Sequence, residues 1–87
     1  MMKVTFENSA IEDLKNLSVT NLKLLKKAFE IIDDILKSPF EGKGKPEPLK
    51  HNYKGYWSRR ISDEHRIVYK VESDKNITVV AVQGHYE

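Results

Sequence analysis

At 87 residues the chain has room for one domain with a modest core, and without cysteine it has neither disulfides nor thiolate metal sites, which suits a reducing compartment. The net charge of +2 conceals an uneven distribution: residues 37–60 hold seven Lys/Arg against two Glu, residues 1–36 five against six, and residues 61–87 three against five. No apolar run approaches a membrane span and MMKVTFENSA lacks the apolar core of a signal peptide, so the expected location is the cytoplasm.

Lys3-Val4-Thr5-Phe6 alternates and predicts a short strand. Asn8 or Ser9 is placed to cap a short helix carrying Ile11, Leu14 and Leu17, with a break expected near Ser18 to Thr20. The clearest element is the next helix, to about Lys37. Leu22, Leu25, Phe29, Ile32 and Leu36 form one apolar stripe, and Leu24, Ala28, Ile31 and Ile35 an adjacent one. Lys23, Lys26, Lys27, Glu30, Asp33 and Asp34 lie mostly opposite, and Pro39 stops the helix.

Ser38 to Ile61 contains all three prolines, three of the four glycines and the basic excess. Such runs are often solvated linkers. Strand signals follow at once, however, so an ordered loop within the domain is expected. From Tyr56 to Ile61 a strand would set Trp57, Arg59 and Ile61 on one face and Tyr56, Ser58 and Arg60 on the other. Ser62-Asp63-Glu64 makes a hairpin turn into His65–Glu72, where Ile67, Tyr69 and Val71 alternate with Arg66, Val68 and Lys70. Ser73 to Asn76 makes a second turn, and Ile77 to Gln83, apolar on both faces, predicts a central strand. The fold class is therefore α+β with the order β-α-α-β-β-β: a mostly antiparallel sheet with two helices on one face. The other face would be left uncovered for function.

The three histidines are scattered without metal-ligand spacing, so no metal and no cofactor are expected. What remains for chemistry is a carboxylate, Glu47, with Arg66, His85 and Tyr86, surrounded by Lys43, Lys45, Lys50, Lys54, Arg59 and Arg60. That set suits RNA, whose own 2′-hydroxyl can attack the phosphate if a base, an acid and positive charge are supplied. Taken singly each residue has a plainer role. Glu47 between prolines is an ordinary loop acid, Arg66 a cross-strand partner for Glu64, and His85 and Tyr86 tail residues on a sheet edge. Trp57 and Tyr69 read as core. From residues alone RNA binding is favoured and nuclease activity is not.

PFEGKGKPEPLKHN at residues 39–52, WSRRI at 57–61, EHRIVY at 64–69 and His85-Tyr86 closely resemble the YoeB toxins of the RelE superfamily of bacterial toxin–antitoxin systems. The resemblance runs almost without gaps through the C-terminal half and is one of pattern in the N-terminal half. It implies a RelE-like domain over residues 1–87 that acts as a ribosome-dependent, metal-independent endoribonuclease, cutting messenger RNA in the ribosomal A site. A cognate antitoxin of the YefM/Phd type would neutralise it. Operator DNA, reached through that complex, and a homodimer are further candidate partners. By the same resemblance Glu47 is the general base, His85 the general acid, Arg66 the stabiliser of phosphorane charge, and Tyr86 the residue that orients the scissile nucleotide. Lys50 and His51 would lie near RNA and ribosome, with Arg59 and Arg60 lining the same face. Gln83-Gly84, where relatives can carry Arg and an aromatic, and the trailing Glu87 depart from the pattern and bear on rate more than on reaction type. A non-catalytic RNA- or ribosome-binding module and an antitoxin-bound operon co-repressor are the alternatives.

Overall fold

The computed structural model describes residues 2–73 and 76–84. Strand β1 (Lys3–Phe6) leads into α1 (Asn8–Thr20) and α2 (Leu22–Lys37). After the basic loop come β2 (Glu47–Pro48), a 3-10 turn at His51–Tyr53, β3 (Tyr56–Arg60), β4 (Arg66–Ser73) and β5 (Asn76–Ala81). The five strands form one mixed sheet in the order β1-β5-β4-β3-β2. The expected α+β architecture is present, with two additions. The basic loop contributes its own edge strand, β2, antiparallel to β3, and β1 lies parallel to β5. Pairing the first strand with the last makes β5 central, in keeping with its two apolar faces.

Local chemistry explains the helical boundaries and corrects one expectation. Neither Asn8 nor Ser9 caps α1: Glu7 stands at the cap position without a side-chain hydrogen bond, and the Ser9 hydroxyl instead donates to the Val80 carbonyl at 2.6 Å. The break, expected near Ser18 to Thr20, falls one residue later at Asn21. Asn21 is extended at φ −160°, and its side chain accepts the Leu24 N–H at 3.1 Å, satisfying an amide that the first turn of α2 leaves without a helical partner.

Of the two stripes on α2, the one holding Ala28, Ile31 and Ile35, joined by Ile32, forms the buried face, while Leu22 and Phe29 are exposed. This face packs with Ala10 and Leu17 of α1 against Ile67 and Tyr69 of β4 and Ile77 and Val79 of β5, completed by Ile61 and Val82. Each fully buried Ile, Leu or Val side chain among these contributes roughly 1.5–3 kcal/mol. The opposite face is not bare as expected. Leu49, just after β2, covers Val68 and Ala81, with Tyr53, Tyr56 and Val80 packed at its margin. That smaller cluster holds the basic loop down on the sheet and leaves the rest of the face open.

Candidate active site

Cross-strand register decides which side chains share the open face. Glu47 lies opposite Ser58, Ser58 opposite Val68, and Arg60 opposite Arg66, so Glu47, Ser58, Arg60, Arg66 and Val68 all point the same way. Glu47 on β2 and Arg66 on β4 therefore flank β3, and their side chains meet across it. Arg66 Nη1 stands 3.9 Å from Glu47 Oε2, an ion pair too long for a hydrogen bond. Their environments differ: the Arg66 side chain is 12% exposed and that of Glu47 58%, so a largely desolvated cation sits behind an accessible carboxylate. Sequence reasoning named both residues, but it offered Glu64 as the local partner of Arg66; the partner is Glu47.

Residues 82–84 are tied down beside this pair. After β5 the Val82 and Gln83 amides donate to Asp13 Oδ2 on α1 at 2.9 and 3.2 Å, and Asn16 Nδ2 donates to Gln83 Oε1 at 3.0 Å. The Gly84 N–H donates to His65 Nδ1 at 3.0 Å, and the Gly84 carbonyl accepts the Arg66 N–H at 3.0 Å. Five hydrogen bonds thus steer residues 82–84 from the end of β5 to the start of β4. His85 and Tyr86 follow next in the chain and lie outside the described residues.

The basic residues divide into three groups. Lys50, His51 and Lys54 are exposed on and around the 3-10 turn, where His51 takes a positive φ of 57°. Lys43, Lys45 and Arg60 line a cleft of about 500 Å³ together with Lys27, Glu30 and Ile31 of α2 and with Ser62 and Asp63. Lys27 was not singled out in the sequence, because on a helical wheel it is one more solvated lysine. Lys70, also passed over, faces the Tyr56 ring at 5.6 Å on the open sheet face.

Arg59 forms the third group alone, and it overturns an expectation: it does not line an RNA-facing surface but is fully buried. Its guanidinium donates to Asp34 Oδ2 at 2.5 Å, to the Lys43 carbonyl at 3.1 Å, to the Glu41 carbonyl at 2.9 Å and to the Ser38 carbonyl, while Nε donates to the Tyr69 hydroxyl at 3.2 Å. That hydroxyl in turn donates to the Pro39 carbonyl at 2.6 Å. The loop is therefore wound around one planar fork of donors, a shape lysine lacks. The Lys43 amide and then the Arg59 guanidinium hold the Asp34 carboxyl below its ordinary value. Burial pushes the Tyr69 phenol up. Gly42 and Gly44, at φ 120° and 80°, let the loop pass close to this hub; a β-carbon on Gly44 would lie 2.6 Å from the Arg60 carbonyl oxygen.

Ser58, like Lys27 and Lys70, is a residue whose place at the site the sequence did not mark. It lies between Glu47 and Val68, is fully buried, and its hydroxyl has no hydrogen-bond partner among the described residues. Among those residues, too, no three His, Asp or Glu side chains are grouped to hold a metal, and no helix is long and apolar enough to cross a membrane.

Known proteins give this arrangement a context. Residues 6–86 match the family model of the YoeB-like toxin of bacterial type II toxin-antitoxin systems. Toxin YoeB of Escherichia coli O6:H1 is 47% identical over 85 residues, covering 98% of this chain and all of that one. The structure of the YoeB dimer from Staphylococcus aureus superposes with a TM-score of 0.89 at 42% identity, covering 98% of each chain. The toxin in the YoeB–YefM complex from Staphylococcus aureus does so with a TM-score of 0.86 at 41% identity, covering 99% of each. The chain belongs to the YoeB-like toxin family of bacterial type II toxin-antitoxin systems.

Proposed function

We propose that the protein is a ribosome-dependent endoribonuclease that cuts messenger RNA in the ribosomal A site by attack of the substrate's 2′-hydroxyl. The observation that carries this reading is the Glu47–Arg66 pair: an accessible carboxylate 3.9 Å from a desolvated guanidinium on the open sheet face. Glu47 takes the 2′-hydroxyl proton, and the freed oxygen attacks the adjacent phosphorus. Arg66 stabilises the charge that builds on the phosphoryl oxygens, an interaction strengthened by its poor access to water. His85 protonates the departing 5′-oxygen, and Tyr86 orients the scissile nucleotide. The assignment of these two residues rests on sequence; Gly84, the residue before them, is hydrogen-bonded to the Arg66 backbone, which supports it. The products are a 2′,3′-cyclic phosphate and a 5′-hydroxyl. The nucleophile belongs to the substrate and the proton transfers to side chains, so the reaction requires no metal.

Lys43, Lys45, Lys50, His51, Lys54 and Arg60 serve RNA and ribosome as exposed or half-exposed groups. Arg59 is left out of this role because it is sealed beneath the loop. Free RNA would be a poor substrate, because the site is an open surface and the ribosome must present the nucleotide. This places the action in the bacterial cytoplasm. The cognate partner is an antitoxin of the YefM type, as in the Staphylococcus aureus complex, and self-association follows the related dimer. Operator DNA is reached through the antitoxin. Mapping messenger-RNA 5′ ends in translating extract tests the reading. Wild-type protein should create new ends within codons, only when ribosomes are present, and Glu47→Gln should abolish them. A non-catalytic module would block translation without new ends.

A further inference from the structure

We propose that Ser58 is a positioning residue for the Glu47–Arg66 pair, its hydroxyl bridging the two: it donates to the Glu47 carboxylate and accepts from the Arg66 guanidinium as substrate engages. This deepens the endoribonuclease reading and rests on it.

Three observations lead there. The ion pair spans β3, and the β3 residue directly opposite Glu47 is Ser58, so the base and the arginine reach toward each other over its side chain. Directly opposed residues on antiparallel strands have β-carbons about 4.5–5.5 Å apart, within reach of a hydroxyl–carboxylate contact. Second, at 3.9 Å the pair is too long to be hydrogen-bonded, so both groups keep unused capacity. Third, the Ser58 hydroxyl is fully buried without a partner among the described residues. A buried hydroxyl left unsatisfied costs folding free energy, and an alanine of nearly the same shape would avoid that cost.

The surroundings restrict what the hydroxyl can do. Around Ser58 on this face lie Glu47, Tyr56, Arg60, Arg66, Val68 and Lys70. The two arginines and the lysine only donate, Val68 does neither, and the Glu47 carboxylate only accepts; the Tyr56 hydroxyl can do both, but Glu47 is the one directly opposite Ser58 across the ladder. A serine hydroxyl has one proton to give and two lone pairs, which fits one carboxylate on one side and one guanidinium on the other. Hydrogen bonds at a catalytic site are often long before substrate binds and tighten in the reactive complex. Ser58 would then fix the carboxylate against β3, at a set distance from Arg66, while the 2′-hydroxyl proton moves to it. Its smallness matters equally, since a bulky side chain there would wedge the pair apart.

The experiment compares wild type, Ser58→Ala, Ser58→Thr, Ser58→Val and Glu47→Gln on programmed ribosomes, with thermal unfolding of each free protein. Ser58→Ala should lower kcat about ten- to hundredfold, the rate equivalent of one hydrogen bond to a charged group, with KM for the ribosome complex unchanged. Its Tm should be equal to or above that of the wild type. Thr and Val have the same shape, so Ser58→Thr should exceed Ser58→Val in kcat. A merely structural serine would show no loss of rate in a variant that is equally stable. Wild-type kcat in Ser58→Ala, alongside an inactive Glu47→Gln, would overturn the role of Ser58 and leave the nuclease reading intact. Equal slowing in Thr and Val with none in Ala would reduce the role to size and overturn the bridge. Absence of cleavage by the wild type would remove the reading and this inference together.

Discussion

Arg59 shows how a residue's neighbours can decide its role against its charge. By charge alone it belonged with Arg60 on a nucleic-acid face, yet strand alternation had already set it with Trp57 and Ile61, on the side that became core. What no local pattern contained was Asp34, twenty-five residues away, nor the carbonyls of Ser38, Glu41 and Lys43 that complete its shell. Removing the buried Arg59 strands the part-buried Asp34 carboxylate together with the loop carbonyls that it holds. Arg59→Ala should therefore cost roughly 3–5 kcal/mol in urea unfolding. Lys45→Ala or Lys50→Ala should stay within about 0.5 kcal/mol of wild type in stability. Salt titration of ribosome binding should show the reverse order. Each exposed lysine that truly contacts phosphate should lower the log–log slope by about one when removed, and a folded Arg59 variant should not. Acid gives a second handle. The folded Asp34 pKa is depressed, so its stabilisation is complete above the ordinary value of 3.8 and is lost as pH falls through that value toward the folded one. The difference in unfolding free energy between wild type and Asp34→Asn should shrink over that acid window and be constant above it. A difference that persists unchanged in acid would show that the carboxylate is not held by Arg59 and the Lys43 amide.

Elements were legible to the degree that their signals were local and long. Helix α2 could be bounded within a residue because its apolar faces run for four turns and Pro39 ends them. The exposure of Leu22 and Phe29 could not be read there, since only the α1–α2 packing decides which stripe turns inward. Strand β2 was invisible for a different reason. Two residues beside Pro46 carry no periodicity, and a proline is tolerated only because β2 is an edge strand with one neighbour. Yet this shortest element places Glu47. The loop before it depends on glycine geometry: Gly44 sits at φ 80° against the Arg60 backbone, which also donates to the Gly44 carbonyl at 2.6 Å. Gly44→Ala should cost roughly 1–3 kcal/mol in chemical unfolding through backbone strain. It should also slow cleavage beyond any loss of ribosome affinity, because β2 loses its register. Gly55, at φ 95° with open space beside it, serves as the control: Gly55→Ala should be milder in cleavage.

Over the whole molecule, the sheet and its helices followed from periodicity, whereas the parallel pairing of β1 with β5 joins residues more than seventy positions apart and leaves no trace in either strand. The site was legible for a related reason. Glu47 and Arg66 were picked out by chemistry and family likeness, but their meeting over Ser58 depends on two strand pairings that no single segment encodes. A small domain with an exposed basic loop and exposed Leu22, Phe29 and Phe40 has surface to offer a partner. Coexpression with the product of the adjacent gene should yield a complex with a higher Tm than the free toxin, by linkage of binding to the folded state. A stable, harmless protein that finds no such partner would count against the toxin–antitoxin role proposed for this chain. The most direct test of the central claim is the chemistry of the cut ends. Messenger RNA cleaved on intact programmed ribosomes should carry a 2′,3′-cyclic or 3′-phosphate on one fragment and a 5′-hydroxyl on the other, in equal yield with and without a chelator mild enough to leave the ribosomes whole. A 3′-hydroxyl with a 5′-phosphate would contradict attack by the 2′-hydroxyl, and with it the role of Glu47 as base.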